Sequence, residues 1–418
     1  MGKVFDNLKF SREYVKAFLK WIVLAILVGG IGGIIGSVFH LAIDYVTEIR
    51  VHHDWVLFLL PLGGLAIAGI YAIFKKQGKL DTNRVLKAAT ADEKVPLIMA
   101  PLIFISTVLT HLLGGSAGRE GAALQLGGSI GYNIGRVCRL KQNDMHIIVM
   151  AGMSGVFAAL FGTPVTAAVF AIEVVCVGVM HYAALVPCVI SAMVSFGVAG
   201  AFGIAPVHFD GVVLTDVTAL TVGKIALLAL LCALVSIVFC SAIHVCEHTM
   251  EKFLKNKYLR AVVGALILVV LTLLVGTRDY NGAGMDVITR AIGGEVRGEA
   301  FLLKIVFTAI TIAAGFKGGE IVPAFFIGST FGCFVGSLLG IDPGFAAAVG
   351  FVAVFCGVVN CPLASTILAL EVFGGENILL FTLVCAISYM MSGSFGLYKS
   401  QKIVYSKLDA HYIDIETR

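Results

Sequence analysis

Charged residues are scarce in this sequence: Asp, Glu, Lys and Arg together make up 13% of the 418 residues, and there are only two tryptophans and nine prolines. A soluble globular chain carries about 25% charged residues, so this composition excludes that class. Cysteine pairing is missing as well. The ten cysteines form no CxxC pair and no zinc spacing, and most lie inside apolar runs, where they read as small buried hydrophobes. The one metal-like knot, HVCEH with His244, Cys246 and His248, reads as a polar helix end facing water. No cofactor is indicated. The leading MGKVFDNLKFSREYVKAFLKW is basic and amphipathic but has no small-residue cleavage site. It reads as a retained cytoplasmic segment, residues 1–19, and not as a signal peptide.

What remains is hydrocarbon. Hydrophobic residues make 59% of the chain and the mean hydropathy is +0.97, so the chain is an all-α polytopic membrane protein in the lipid bilayer. Apolar runs of spanning length, about 20 residues, occur from 21–46 to 377–397, and several, such as 145–176 and 344–372, are too long for one crossing. Lys75, Lys76, Lys79, Arg84 and Lys87 share one loop, Arg136, Arg139 and Lys141 another, and Lys399, Lys402 and Lys407 follow the last span. These suit cytoplasmic faces and put both termini on the cytoplasmic side of the cell membrane. The net charge of +4 therefore describes topology and implies no nucleic-acid partner.

The chain repeats itself. Residues 151–174 (AGMSGVFAALFGTPVTAAVFAIEV) and 349–372 (VGFVAVFCGVVNCPLASTILALEV) are identical at 7 of 24 ungapped positions, including the pairs Phe157/Phe355, Pro164/Pro362 and Glu173/Glu371. Upstream in each copy lies a glycine-rich element with one glutamate, GREGAALQLGGSIG at 118–131 and GGEIVPAFFIGSTFG at 318–332. The predicted organisation is two inverted repeats, 20–200 and 221–400, joined by a linker at 201–220 and followed by a cytoplasmic tail at 401–418. In duplicated folds of this kind broken half-helices meet near the midplane, where the substrate sits.

A run such as GGSAGREG is unsuited to lipid, because its glycines leave backbone polar groups bare and each costs several kcal/mol in hydrocarbon. It must line a cavity. Each glycine run precedes a helix, whose free N–H groups and positive dipole end attract an anion. Two such ends aimed at one point make an anion site without a full cationic charge, which leaves the ion free to depart. Glu120 then has a defined part. Ionised, it occupies the site; protonated, it loses the attraction and swings away, so it gates the path and carries a proton. The plainer alternative is that Arg119 pairs with it or anchors the loop. Glu173 and Glu371 read as structural partners of backbone N–H groups or cations, and Gly127, Gly128, Gly131 and Gly135 as close-packing positions.

These motifs together resemble the CLC family of chloride channels and anion/proton antiporters. GREG at 118–121 is similar to that family's gating-glutamate motif, DYNGAGMDVI at 279–288 to its YxGxGxxxI loop, and GGEIVPAFFIGSTFG to its GGxFxPxxxxGxxxG motif. Tyr398 falls where the family's pore-facing tyrosine stands. The resemblance covers most of residues 20–400, and it implies the CLC fold, a small inorganic anion and protons as the transported species, and a homodimer with one pore per subunit. The family's soluble nucleotide-binding pair is not found in the tail. Two departures point to a branch: GSGIP is replaced by KQGKLDTNRVLKA at 76–88, and the inner proton-transferring glutamate that would follow Glu173 is Val174. With Glu320 in GGE, the pattern resembles the fluoride/proton antiporter branch. The anion-contacting candidates implied are Gly118, Arg119, Gly121, Gly319, Glu320, Ile321, Val322, Phe325, Tyr398 and Asn83, with Glu120 as gate.

The expected function is exchange of an anion, fluoride first, against protons; the alternatives are a chloride/proton antiporter and a passive voltage-gated chloride channel. For Glu320 the plainer role is to cap its helix and bind Lys317, and for Tyr398 to belong to an interfacial aromatic belt. A hydrolase is the rival from another class, since GMSG at 152–155 has the GxSG form of an intramembrane serine protease. The second copy carries Val352 in place of Ser154, and no histidine sits in a matching context.

Overall fold

In the computed structural model the described residues are 2–212, 217–409 and 411–418. Residues 213–216, inside the expected linker, lie outside them, as do Met1, Ala410, the side chains of the rest of the leading segment up to residue 11, and that of Lys75.

The described residues hold sixteen α-helices that fall into two series of eight in matching order. The first comprises α1 (Gly2–His52), α2 (Leu60–Ile73), α3 (Thr82–Ala88), α4 (Met99–Leu113), α5 (Glu120–Val137), α6 (Gln142–Phe161), α7 (Pro164–Glu173) and α8 (Leu185–Ala201). The second comprises α9 (Ala219–Phe253), α10 (Lys257–Val275), α11 (Met285–Ile292), α12 (Ala300–Ala313), α13 (Ile321–Leu339), α14 (Pro343–Val359), α15 (Pro362–Phe373) and α16 (Ile378–Met391). Seven helical segments are long and apolar enough to cross a membrane, and others are shorter. Each overlong apolar run is broken at its proline. α6 stops at Gly162, left-handed at φ 68°, before Pro164; α14 stops at Asn360, left-handed at φ 57°, before Pro362. A proline at the first helical position lacks only an N–H that no helix partner would use.

The helices that lead away from the centre approach backbone to backbone. A Cβ at Gly127 would lie within van der Waals overlap of the Gly152 carbonyl, and one at Gly328 would meet the Gly350 carbonyl in the same way. These equivalent contacts bind α5 to α6 and α13 to α14, the close packing expected of the glycine stripe.

The repeats are also joined by exchanged carboxylates. Glu173, ending α7, accepts from Leu363 N (3.2 Å) and Ala364 N (2.8 Å) at the start of α15. Glu371, near the end of α15, accepts from Val165 N (2.9 Å) and Thr166 N (2.8 Å) at the start of α7. Each negative side chain thus caps the positive end of its partner's helix, as their matching positions suggested.

One addition to the all-helical expectation concerns the tail. Lys402–Tyr405 (β2) and Tyr412–Glu416 (β3) form an antiparallel hairpin, and β2 pairs in parallel with the two-residue β1 (Cys176–Val177). The alternation in YIDIE was the available sign. Thr417 Oγ1 donates to the Tyr398 carbonyl (2.6 Å), so the hairpin end sits on the segment that carries Tyr398.

Glu173 is 6% exposed, so removing its carboxylate leaves the buried Ala364 N–H and the half-buried Leu363 N–H unpaired. Glu173→Ala is expected to destabilise the protein by about 2–3 kcal/mol, seen as a fall of several degrees in melting temperature in detergent. An unchanged melting temperature would count against the exchanged caps.

Candidate functional site

The two glycine runs meet. Gly118 N donates to Gly319 O and Gly319 N donates to Gly118 O, both at 2.7 Å, an isolated antiparallel bridge between segments 201 residues apart in sequence. It satisfies the backbone of two non-helical segments in the interior, where water is not at hand. From this bridge α5 and α13 start in opposite directions. The far part of α5 packs with Trp21 and Met145, close to the Lys20–Asp144 ion pair. α13 ends at Gly340, beside Lys224 at the start of α9, and its Phe334 lies against Gly298.

Glu120, the first residue of α5, is fully buried. Its Oε2 accepts from the Val322 N–H at 3.2 Å, in the first turn of α13. The gate candidate therefore sits on the helix end of the other repeat, and its Oε1 is buried without a partner. Glycine is required around it: a Cβ at Gly319 would lie 2.8 Å from Glu120 Oε2 and 2.5 Å from Gly121 N, and one at Gly118 would overlap the same oxygen. Glu320 is placed likewise, with Oε2 3.6 Å from where a Cβ on Gly121 would stand. Its side chain makes no cap for α13, and no Lys317–Glu320 ion pair occurs among the described residues. The plainer role considered for Glu320 therefore fails.

Cavities reach the bridge from two sides. One, about 510 Å³, is lined by Thr82, Asn83, Gln125, Glu247, Lys317, Gly318, Glu320 and Tyr398, among others. The Tyr398 hydroxyl is buried without a partner and the residue is 3% exposed, which removes it from any interfacial belt. Asn83 Oδ1 accepts from Ser400 N (2.9 Å) and Ser400 Oγ (3.0 Å), tying α3 to the tyrosine's segment. The other cavity, about 310 Å³, is lined by Arg119, Val322, Phe161, Arg50 and His111, among others.

Not every candidate gathers at one point. Arg119 turns into the second cavity, pairs with Asp44 at 3.2 Å and stands apart from Tyr398, the loop-anchoring alternative raised for it. Ile321 is wholly buried and lines neither cavity. Phe325 stacks on Phe351 with ring centroids 3.9 Å apart, inside an aromatic core that includes Phe161 and Phe355. Gln125 and Thr82 are the residues the sequence reading missed: Gln125 Nε2 donates to Thr82 Oγ1 (3.1 Å), and its Oε1 is buried and unpartnered beside the Tyr398 cavity. The signal was present, since Gln125 follows Gly121 by one helical turn. Ser154 donates to the Cys188 carbonyl (2.9 Å), a packing bond between α6 and α8.

Residues 63–393 match the family described as Voltage gated chloride channel. The chain belongs to the CLC family. It is similar to a chloride/fluoride channel protein of Pseudomonas syringae pv. tomato, 36% identical over 410 residues that cover 96% of this chain and 91% of the relative. An H(+)/Cl(-) exchange transporter of Vibrio cholerae is 26% identical, with 96% and 92% of the two chains covered. Among solved structures, a CLC-type fluoride/proton antiporter superposes with a TM-score of 0.89 at 30% identity, covering 92% of this chain and 98% of the other. Membership brings the broken helices, the inverted halves and the membrane location under one description.

Gly319→Ala tests the bridge directly. The added methyl has no room beside Glu120 Oε2 and Gly121 N, so the variant is expected to lose anion flux in liposomes while remaining a monodisperse helical protein. Flux at the native rate would show that the bridge tolerates side chains and that Glu120 does not sit as described.

Proposed function

We propose that this CLC protein is a secondary transporter that exchanges fluoride for protons across the cell membrane. The observation that carries the reading is the Glu120 carboxylate resting on the α13 amino terminus, a position an anion would otherwise take. Proton binding removes the charge that holds it there, so anion entry and proton uptake share one event. Glu320 offers a second carboxyl on the Tyr398 side of the bridge. A passive pore has no need of a second proton site.

The choice of ion rests on chemistry. Fluoride is small, strongly hydrated and a strong hydrogen-bond acceptor, so a replacement for its water must donate. The unpartnered Tyr398 hydroxyl and a protonated Glu320 supply such donors beside one cavity. The chloride/fluoride naming of the Pseudomonas relative and the fluoride/proton antiporter structure support the same choice. Both termini are assigned to the cytoplasm by the positive-inside rule, since Lys20, Lys79, Lys257 and Lys399 lie on the face toward which α5 runs. The family resemblance further implies a homodimer with a pore in each subunit.

The test measures fluoride and chloride flux together with proton movement in proteoliposomes. Native protein should move protons against fluoride, faster as pH falls because protonation frees Glu120. Glu120→Gln should abolish the proton component and its pH dependence; proton coupling that survives in this variant would overturn the assignment. Tyr398→Phe should weaken fluoride transport more than chloride transport, and equal effects on both ions would remove the tyrosine from selectivity.

A further inference from the structure

The exchange reading leaves one group of charges unused. Lys304 of α12 is fully buried, and its ammonium donates only to backbone carbonyls, Gly282 O at 2.7 Å and Tyr280 O at 3.3 Å, while lying 5.0 Å from the Phe326 ring centre. Arg50, near the end of α1, lays its guanidinium against the other side of Gly282, whose φ of +64° and missing Cβ make room for it. Two cations thus flank one peptide.

Neither has a carboxylate within ion-pair distance among the described residues, and three of the nearby acids are engaged elsewhere. Asp44 holds Arg119 and His40, Asp54 holds Arg278, and Asp279 holds Arg290. Asp286 lines the same cavity as Arg50 and attracts it through space, without an ion pair between them. A fully buried cation held only by carbonyls, as Lys304 is, is strongly disfavoured unless a counter-charge is supplied. Independently, Arg50 Nη1 is buried and makes no hydrogen bond, and Arg50 lines the cavity of about 310 Å³ that ends at Arg119 and Val322. His111 lines it too, with Nδ1 donating to the Thr107 carbonyl (2.9 Å) and Nε2 unpartnered.

The geometry points to a second anion site in this cavity, where a small monovalent inorganic anion rests against Arg50, with Lys304 adding charge from beneath Gly282, before it reaches the place held by Glu120. The acidic rim of Asp44, Asp279 and Asp286 opposes polyanions, while the unbonded Arg50 Nη1 offers a donor to one small, singly charged anion. Arg50 then concentrates the transported ion at the mouth by focusing the field in a low-dielectric cleft. This site rests on the exchange reading for its role in transport, though not for its capacity to bind.

The test uses the full chain in proteoliposomes, with fluoride half-saturation measured separately from each side. In Arg50→Gln the half-saturation concentration from the Arg119 side should rise about tenfold, with the value from the Tyr398 side and the ratio of anions to protons unchanged. Arg50→Lys should restore most of the affinity. An unaltered half-saturation from the Arg119 side in a monodisperse Arg50→Gln protein would overturn the site. Should that variant fail to fold, crystals of native protein soaked in bromide decide: an anomalous peak against Arg50 supports the site, and its absence refutes it. A native protein that shows the bromide peak but no proton-coupled flux would refute the exchange reading and leave the site standing.

Discussion

Two hydrogen bonds between Gly118 and Gly319 hold the architecture together. They are the only backbone pairing between the two lead-in segments among the described residues, and they fix both helix starts at one place with opposite directions. A side chain on either glycine would push the segments apart or strike Glu120. The same absence of Cβ that makes the runs unfit for lipid lets them lie against each other, so a local liability becomes the condition for bringing two positive helix ends together. The centre follows from this: the Glu120 carboxylate of one repeat lies over the helix start of the other, and Glu320 lies close by Gly121.

The exchange of groups between repeats recurs away from the centre. Glu173 and Glu371 each end a helix in one half and cap a helix in the other, and the glycine contacts of α5 with α6 are repeated by α13 with α14. A duplicated chain makes such reciprocity inexpensive in sequence, since one residue choice serves two places. It also resists sliding of the halves, because the four capped N–H groups of α7 and α15 would lose their partners together. A frame of this kind holds the two central helix starts in a fixed relation to each other.

Much of this was legible in the residues. The duplication, the paired glutamates, the glycine-proline breaks and the half-helix starts all have a local physical cause, and the sequence shows local causes. Glu120 could be placed at the meeting of two helix starts because glycine before a helix in an apolar chain has few other uses. Other features depend on tertiary placement. Whether Arg119 faced the ion or Asp44 was decided by α1, 75 residues earlier in the chain. Phe325 was close in sequence to the helix start but faces Phe351, as helical geometry turns it away. Gln125 and Thr82 were passed over because a lone amide and a lone hydroxyl carry no pattern. The hairpin at 402–416 was obscured by its shortness: two four- to five-residue strands make sense only once β1, more than 200 residues upstream, lies alongside.

That hairpin ties the end of the described chain to the segment that carries Tyr398. Thr417 and the amide of Gln401 both donate to the carbonyl of Tyr398, and Gln401 reaches the carbonyls of Val174 and Val359 in the two repeats. The last strand is thus a clasp on the backbone that carries the buried Tyr398 hydroxyl. A pull on that strand reaches the backbone of Tyr398 through the Thr417 hydroxyl, so the carboxyl-terminal hairpin and the segment carrying the tyrosine are mechanically one piece.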